Sequence, residues 1–297
     1  MNTIRSAAAD WFAERSLPTH PVHTHVLRKD VHWHENLILP EVRAYIDAER
    51  ADAAAKQRCH FALNTAIGNG ASSQALAFNL VGPLITRGDL KPLRAVLEAV
   101  GIPWPRQARA AFEVEDRSVF NEQRGQPTSV DLVINGGPAD SGPIMIEVKL
   151  VESGFGSCSV LGKGQCDTNG ANPLADISQC YLARNAYTYW ERMAEHGLIN
   201  EVQRAGAGCL LAFDYQFYRE LLFALHHRGF FVLLHDARSP VFDGTPQSVL
   251  PRLLKQLPLQ LRSRVAAITV QQLVAAIRVT GRHDDWIGAF ARKYGLE

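Results

Sequence analysis

The stretch Thr128–Glu152, TSVDLVINGGPADSGPIMIEVKLVE, constrains the fold of this chain more than any other. Two aliphatic, β-branched runs flank a loop of Gly, Pro, Ser and Asp, which predicts two strands joined as a hairpin. Period-two alternation sets Val130, Leu132 and Ile134 on one face of the first strand, with Asp131 and Val133 on the other. In the second strand Ile144, Ile146, Val148 and Leu150 share one face, and Met145, Glu147, Lys149 and Val151 share the other. A face that mixes Val133, Met145 and Val151 with charges is not a solvent face. Both faces are therefore expected to be covered, and the three charges to be partly buried. Buried charges need a partner or a metal. With pairing symmetric about Ala139, Asp131 stands opposite Glu147, and two close carboxylates repel unless a cation lies between them. Lys149 follows two residues on, so the pattern describes a site for a hard divalent cation with an ammonium beside it.

At these residues the chain resembles the PD-(D/E)XK nuclease superfamily, whose motif D-(x)n-(D/E)-x-K is matched by Asp131 and Glu147-Val148-Lys149. SSQALAFNLVGPL at 72–84 resembles the helix that precedes the sheet in one restriction-endonuclease-like bacterial group. Val130 stands where the motif commonly has proline. The resemblance implies an α/β fold, a mixed central sheet flanked by helices. Its restriction-endonuclease-like αβββαβ core would span 55–215, with an N-terminal helical and loop region (1–54) packed on it and a C-terminal α/β extension (216–297) of the same domain. It further implies a nuclease using Mg²⁺, or Mn²⁺, to hydrolyse phosphodiesters, with DNA the expected substrate. Asp131 and Glu147 would hold the metal, with the Val148 carbonyl as an extra ligand. Lys149 would orient or deprotonate the attacking water and stabilise charge on the phosphate. Gln74 and Asn79 are candidate supports. Gln179 resembles the helix glutamine that follows the third strand in such nucleases. Ordinary surface amides are the competing reading for all three.

The 297 residues, 46% of them hydrophobic, suffice for one large or two modest domains. A net charge of +1 means that nucleic-acid binding must rest on a local basic patch. From Pro251 onward eight Lys/Arg face three Asp/Glu, which makes this region, Arg262 and Arg264 included, the candidate phosphate-binding surface; a solvated basic face is the alternative. The first residues lack a signal-peptide core and no apolar run reaches membrane-spanning length, so no membrane is expected and a reducing cytoplasm is the expected setting. A homodimer is compatible with the sequence.

Residues 3–16 pattern as a short helix with Ile4, Trp11 and Phe12 on its apolar side. The segment carrying His20, His23, His25, His32 and His34 matches no zinc spacing and is expected to be a loop. Pro40 opens a long helical stretch toward Gly68, Ser72 or Ser73 caps the next helix, and Asp89 is expected to cap a third. Residues 104–120 contain the first strand, with Phe112 and Val114 on one face and Glu113, Glu115 and Arg117 on the other; Glu115, or Glu113, could supply a third carboxylate. After the hairpin, SGFGSCSVLGKGQCDTNGAN reads as a long loop in which Lys163 could touch phosphate. A helix is expected from Asn172 to about Gly197, then strand 207–214, a helix, strand FFVLLHDA, and further helix, strand and helices to the end.

Cys158, Cys166 and Cys180, with Cys59 or Cys209, could hold zinc or an iron–sulfur cluster, as the cysteines of some relatives do; the spacings are not of the CxxC type and favour plain core cysteines. Two functions therefore compete with nuclease activity. One is a non-catalytic nucleic-acid-binding or regulatory module, against which the intact Asp131, Glu147 and Lys149 speak. The other is metal or redox sensing by the cysteines.

Overall fold

The computed structural model describes residues 2–55, 61–123, 125–137, 140–243, 245 and 247–296. Strands β1 (Arg109–Glu115), β2 (Ser129–Asn135), β3 (Ile144–Lys149), β4 (Phe230–His235) and β5 (Val265–Thr269) form one sheet in that spatial order. β1 and β2, and β2 and β3, pair antiparallel; β3 and β4, and β4 and β5, pair parallel. The main helices are α1 (Asn2–Glu14), α2 (Pro40–Ala55), α3 (Ser73–Thr86), α4 (Lys91–Ala99), α5 (Tyr189–Glu195), α6 (Tyr215–His226), α7 (Val249–Gln256), α8 (Val270–Val279) and α9 (Asp284–Tyr294). The expected mixed α/β architecture is present, and the order α3–β1–β2–β3–α6–β4 is the αβββαβ order. No helix among the described residues is long and apolar enough to cross a membrane.

Both faces of the sheet are covered, as the mixed face of the hairpin requires. Ile144, Ile146 and Val148 of β3 pack with Phe230, Val232 and Leu234 of β4 into a core closed by α3, α4, α8 and α9. Met145, Phe231 and Leu233 face the other way, into a core made with α5, α6 and α7. Burying each such side chain contributes about 1.5–3 kcal/mol before the entropy of ordering it. Ser72 caps α3, its Oγ accepting from the Ala75 N–H at 3.3 Å. Gly82 lets α3 approach α2 closely, since a Cβ there would lie 2.7 Å from Val42. At one edge α1 lies along α9: Trp11 and Phe12 are buried there against Ala289, and Lys293 of α9 reaches back to the side-chain oxygen of Asn36 at 2.7 Å.

Several local expectations give way. The helix opened by Pro40 is described to Ala55; residues 56–60 lie outside the described residues, and the chain from Phe61 is coil and turn. Asp89 does not cap α4, whose N-cap is Leu90; Asp89 instead faces Arg282 and His283 at 3.2 and 3.4 Å. The helix expected over 172–197 is broken into turns and helices of three to seven residues, ending with α5. Asp176 shows why: its carboxylate accepts from the Ser178 N–H and hydroxyl, a local bond that competes with the helix. No strand forms over 207–214; that stretch meets the chain through the single bridge Ala171↔Gly208, and the strand beside β3 is β4.

The faces of β1 and β2 also depart from simple alternation. Phe112 and Leu132 lie in the first core, but Val114 and Val130 turn to the second. The switch occurs at Glu113, a non-glycine residue with φ +51°. No residue is inserted, since the register runs Phe112↔Leu132 and resumes at Val114↔Val130. A left-handed residue inside a strand costs of order 1–3 kcal/mol, and such conformations persist where surrounding structure holds them.

Candidate active site

Continuing the ladders by one position sets Glu113 of β1, Asp131 of β2 and Glu147 of β3 in a row across the sheet. Asp131 and Glu147 face each other in the register expected from symmetry about Ala139. The left-handed turn at Glu113 brings its carboxylate to the row, where it accepts from Gln74 Nε2 at 2.7 Å and Ser129 Oγ at 2.9 Å. Asp131 Oδ2 accepts from the Val148 N–H at 2.9 Å. Lys149 Nζ donates to Glu147 Oε1 at 2.7 Å and to Gln216 Oε1 at 2.7 Å, and Gln216 Nε2 donates to the same Glu147 oxygen at 2.6 Å. Lys149, Gln216 and Glu147 thus close a ring between β3 and α6.

The surroundings are dry. Glu147 is 2% exposed, Lys149 5% and Glu220, one turn beyond Gln216 on α6, 1%. Burial, and then the charges of Glu147 and Glu113, hold the Asp131 carboxyl well above the ordinary range; the residue as a whole is half-buried, but protein encloses the carboxyl itself. Burial, and then Glu147, raises Glu220 in the same way. Burial pushes Glu113 up to about 7, against the hydrogen bonds from Gln74 and Ser129. Burial alone would lower the Lys149 ammonium; Glu147, Glu220 and Glu152 outweigh it and hold its pKa above the usual lysine value. Glu147, Glu220, Glu152 and Asp131 thus act on one buried ammonium, with Glu113 at the end of the row. Glu147 Oε2 and Glu220 Oε2 are buried oxygens with no hydrogen-bond partner. Orphaned hard oxygens in an excess of negative charge fit a hard divalent cation. Among the described residues, no three His, Cys, Asp or Glu side chains are closed around a single ion position.

A cleft of about 640 Å³ opens onto this cluster. Ser129 and Gln216, which bond to the cluster, line it together with Glu220, Lys163, Tyr181 and Tyr187. Its wall is held by Glu122, 1% exposed, whose carboxylate accepts from the Thr128 N–H at 2.6 Å, from Thr128 Oγ1 at 3.0 Å, from Arg219 at 2.9 Å and from the Tyr189 hydroxyl.

A family model described as restriction endonuclease associating with ARP matches residues 5–295. The chain belongs to this REase-ARP family. Comparison with curated proteins and with solved structures gave no match. The match makes the REase-ARP chain restriction-endonuclease-like over nearly its whole length, a class of enzyme that acts on nucleic acid.

Within this REase-ARP protein the sequence-derived candidates separate cleanly. Asp131, Glu147 and Lys149 come together, Gln74 joins them through Glu113, and Lys163 lines the adjoining cleft. Glu115 is displaced: beyond the turn at Glu113 it borders a different hollow, with Met145 and His227, so the third carboxylate in the row is Glu113. Asn79 is a structural amide, bonded to the Ile38 N–H, the Asn36 carbonyl and Tyr294. Gln179 is exposed in a short turn and bonded to Asp176; the glutamine at the site is Gln216. Arg262 and Arg264 precede β5, whose parallel register puts them toward the strand end opposite Lys149, and both bond to carbonyls of nearby loops. The C-terminal basic excess dissolves further because Arg252 pairs with Asp214, Arg282 with Asp89, and Lys293 is fully buried. Gln216 and Glu220 escaped the sequence reading. Their signal was an i, i+4 polar pair on one side of a largely apolar helix, YQFYRELLFALH.

Proposed function

We propose that the protein is a metal-dependent nuclease of the PD-(D/E)XK type that hydrolyses phosphodiester bonds, with DNA as substrate. The observation that carries this reading is the row Glu113, Asp131 and Glu147 across three strands, with Lys149 beside it and with Ser129 and Gln216 joining the row to a cleft. Asp131 and Glu147 would hold Mg²⁺ or Mn²⁺, with Glu113 and Glu220 supplying further negative charge. When bound, such a cation lowers the pKa of a water and neutralises charge on the phosphate.

The chain's own side chains do the rest. Lys149, kept protonated by its carboxylate neighbours, presents a fixed positive charge where charge develops on the phosphate, in a setting too dry to screen it. Gln216 holds the ammonium and the Glu147 oxygen in register, so neither must reorganise. Gln74 and Ser129 fix the Glu113 carboxylate at the end of the row. Lys163 would add positive charge to the cleft lining for a phosphate chain.

The test is incubation of the purified protein with supercoiled and linear DNA in Mg²⁺, in Mn²⁺ and in chelator. Metal-dependent cleavage by the wild type, absent in Lys149→Met, supports the reading. Metal-independent cleavage, or a wild-type rate in Lys149→Met, overturns it.

A further inference from the structure

Between β3 and α6 the chain runs through a long segment with few regular elements, the longest helix between Glu152 and Thr188 being four residues. Irregular stretches of that length inside a compact domain need something to hold them. Cys158, Cys166 and Cys180 come from this segment, and Cys209 from the loop that precedes α6. All four line one small apolar cavity, with Leu161 and Leu211. All four are free thiols. The backbone brings them together: the Cys158 N–H donates to the Ala212 carbonyl at 3.0 Å, and the Cys209 N–H to the Gly170 carbonyl at 2.9 Å.

Two of the sulfurs have polar partners. Trp190 Nε1 donates to Cys180 Sγ at 3.3 Å. Thr168 Oγ1 lies 3.4 Å from Cys166 Sγ, at hydrogen-bond distance. Such donors stabilise thiolates and are the means by which proteins hold and tune metal–sulfur centres.

We infer that Cys158, Cys166, Cys180 and Cys209 form a four-thiolate site for a thiophilic metal centre, zinc or an iron–sulfur cluster. Four sulfur ligands lining one apolar cavity are the donor set these centres take. Since no three of the sulfurs are closed around a single ion position, loading draws them inward about zinc or spans them with a cluster. Each thiol loses its proton on ligation, so loading weakens as pH falls. The centre would pin the segment to the loop before α6. Val160, Tyr181 and Leu182 line both the cysteine cavity and the cleft, so the pin would also set the cleft wall. Cys59 lies outside the described residues and is not needed for the set of four.

The test begins with full-length protein purified anaerobically. Metal and acid-labile sulfide are measured, with the visible spectrum. One equivalent of zinc, or iron with matching sulfide and a visible band bleached by dithionite, supports the site and says which centre it holds. Cys166→Ala and Cys209→Ala should each lose that metal. Glu147→Gln should keep it, which separates this site from the proposed nuclease centre. Should the cysteine variants fail to fold, titration of metal-free wild type with Co²⁺ gives a second readout, thiolate-to-cobalt charge transfer saturating at one equivalent. Protein that carries neither zinc nor iron and shows no charge transfer with Co²⁺, or folded variants that retain the full metal content, overturns the inference.

Discussion

Glu113 offers the sharpest test of the carboxylate row. Its carboxyl stands at about 7 in the folded protein against an ordinary value of 4.5. A carboxyl raised on folding contributes its full stability below the unfolded value and loses it as pH rises through the folded value. Metal-free protein should therefore lose stability between about pH 4.5 and 7, by roughly 3 kcal/mol from this group at about 1.36 kcal/mol per pH unit. Glu113→Gln removes the titration but keeps the shape, since an amide oxygen still accepts from Gln74 and an amide N–H can donate to Ser129 Oγ. Urea unfolding in chelator at several pH values reads the effect. Wild type should weaken as pH rises through the window, and Glu113→Gln should weaken less by about that amount. Mg²⁺ should flatten the wild-type slope, because a bound cation favours the charged carboxylates. An identical pH slope in Glu113→Gln and wild type would refute the reasoning, for Glu113 would then titrate as an ordinary surface acid.

Lys149→Met should lower the cleavage rate about a hundred- to a thousandfold while leaving DNA affinity within a few-fold, because the charge is needed where the transition state forms; gel shift and plasmid cleavage on the same preparation check this. Gln216→Leu should slow cleavage without abolishing metal-dependent stabilisation, read by thermal melting with and without Mg²⁺, since the glutamine positions Lys149 and Glu147. Glu122→Ala should destabilise the fold by about 3 kcal/mol in urea melts, as the half-buried Arg219 loses its carboxylate. Charge reversal at Arg262 and Arg264 should leave affinity and its salt dependence unchanged, because both lie away from the cleft.

The sequence revealed the centre of the molecule better than its margins. The hairpin register, the opposition of Asp131 and Glu147 and the two-sided burial of β3 follow from alternation and a turn, which are local. The carboxylate contributed by β1 depended on one backbone angle at Glu113, and residue types do not report a left-handed turn inside a strand. Gln216 and Gln179 are equivalent as letters; only the path of the chain decides which faces Lys149. The basic C-terminal stretch misled for a related reason. Arg252 and Arg282 find acids far away in sequence, and a composition count cannot see those pairs.

The packing of α1 against α9 has a consequence for how the chain reaches this structure. The apolar side of α1 finds its cover on a helix that starts at Asp284, so the contact closes nearly the whole length of the chain. Contacts of such separation form late, after the loop entropy has been met by everything between them. During synthesis at about 5–20 residues per second, Trp11 and Phe12 wait on the order of 15–50 seconds for that cover. Over that interval they are a natural handle for a chaperone. A chain ending before Asp284 would keep all five strands and still leave this tryptophan and phenylalanine without their helix.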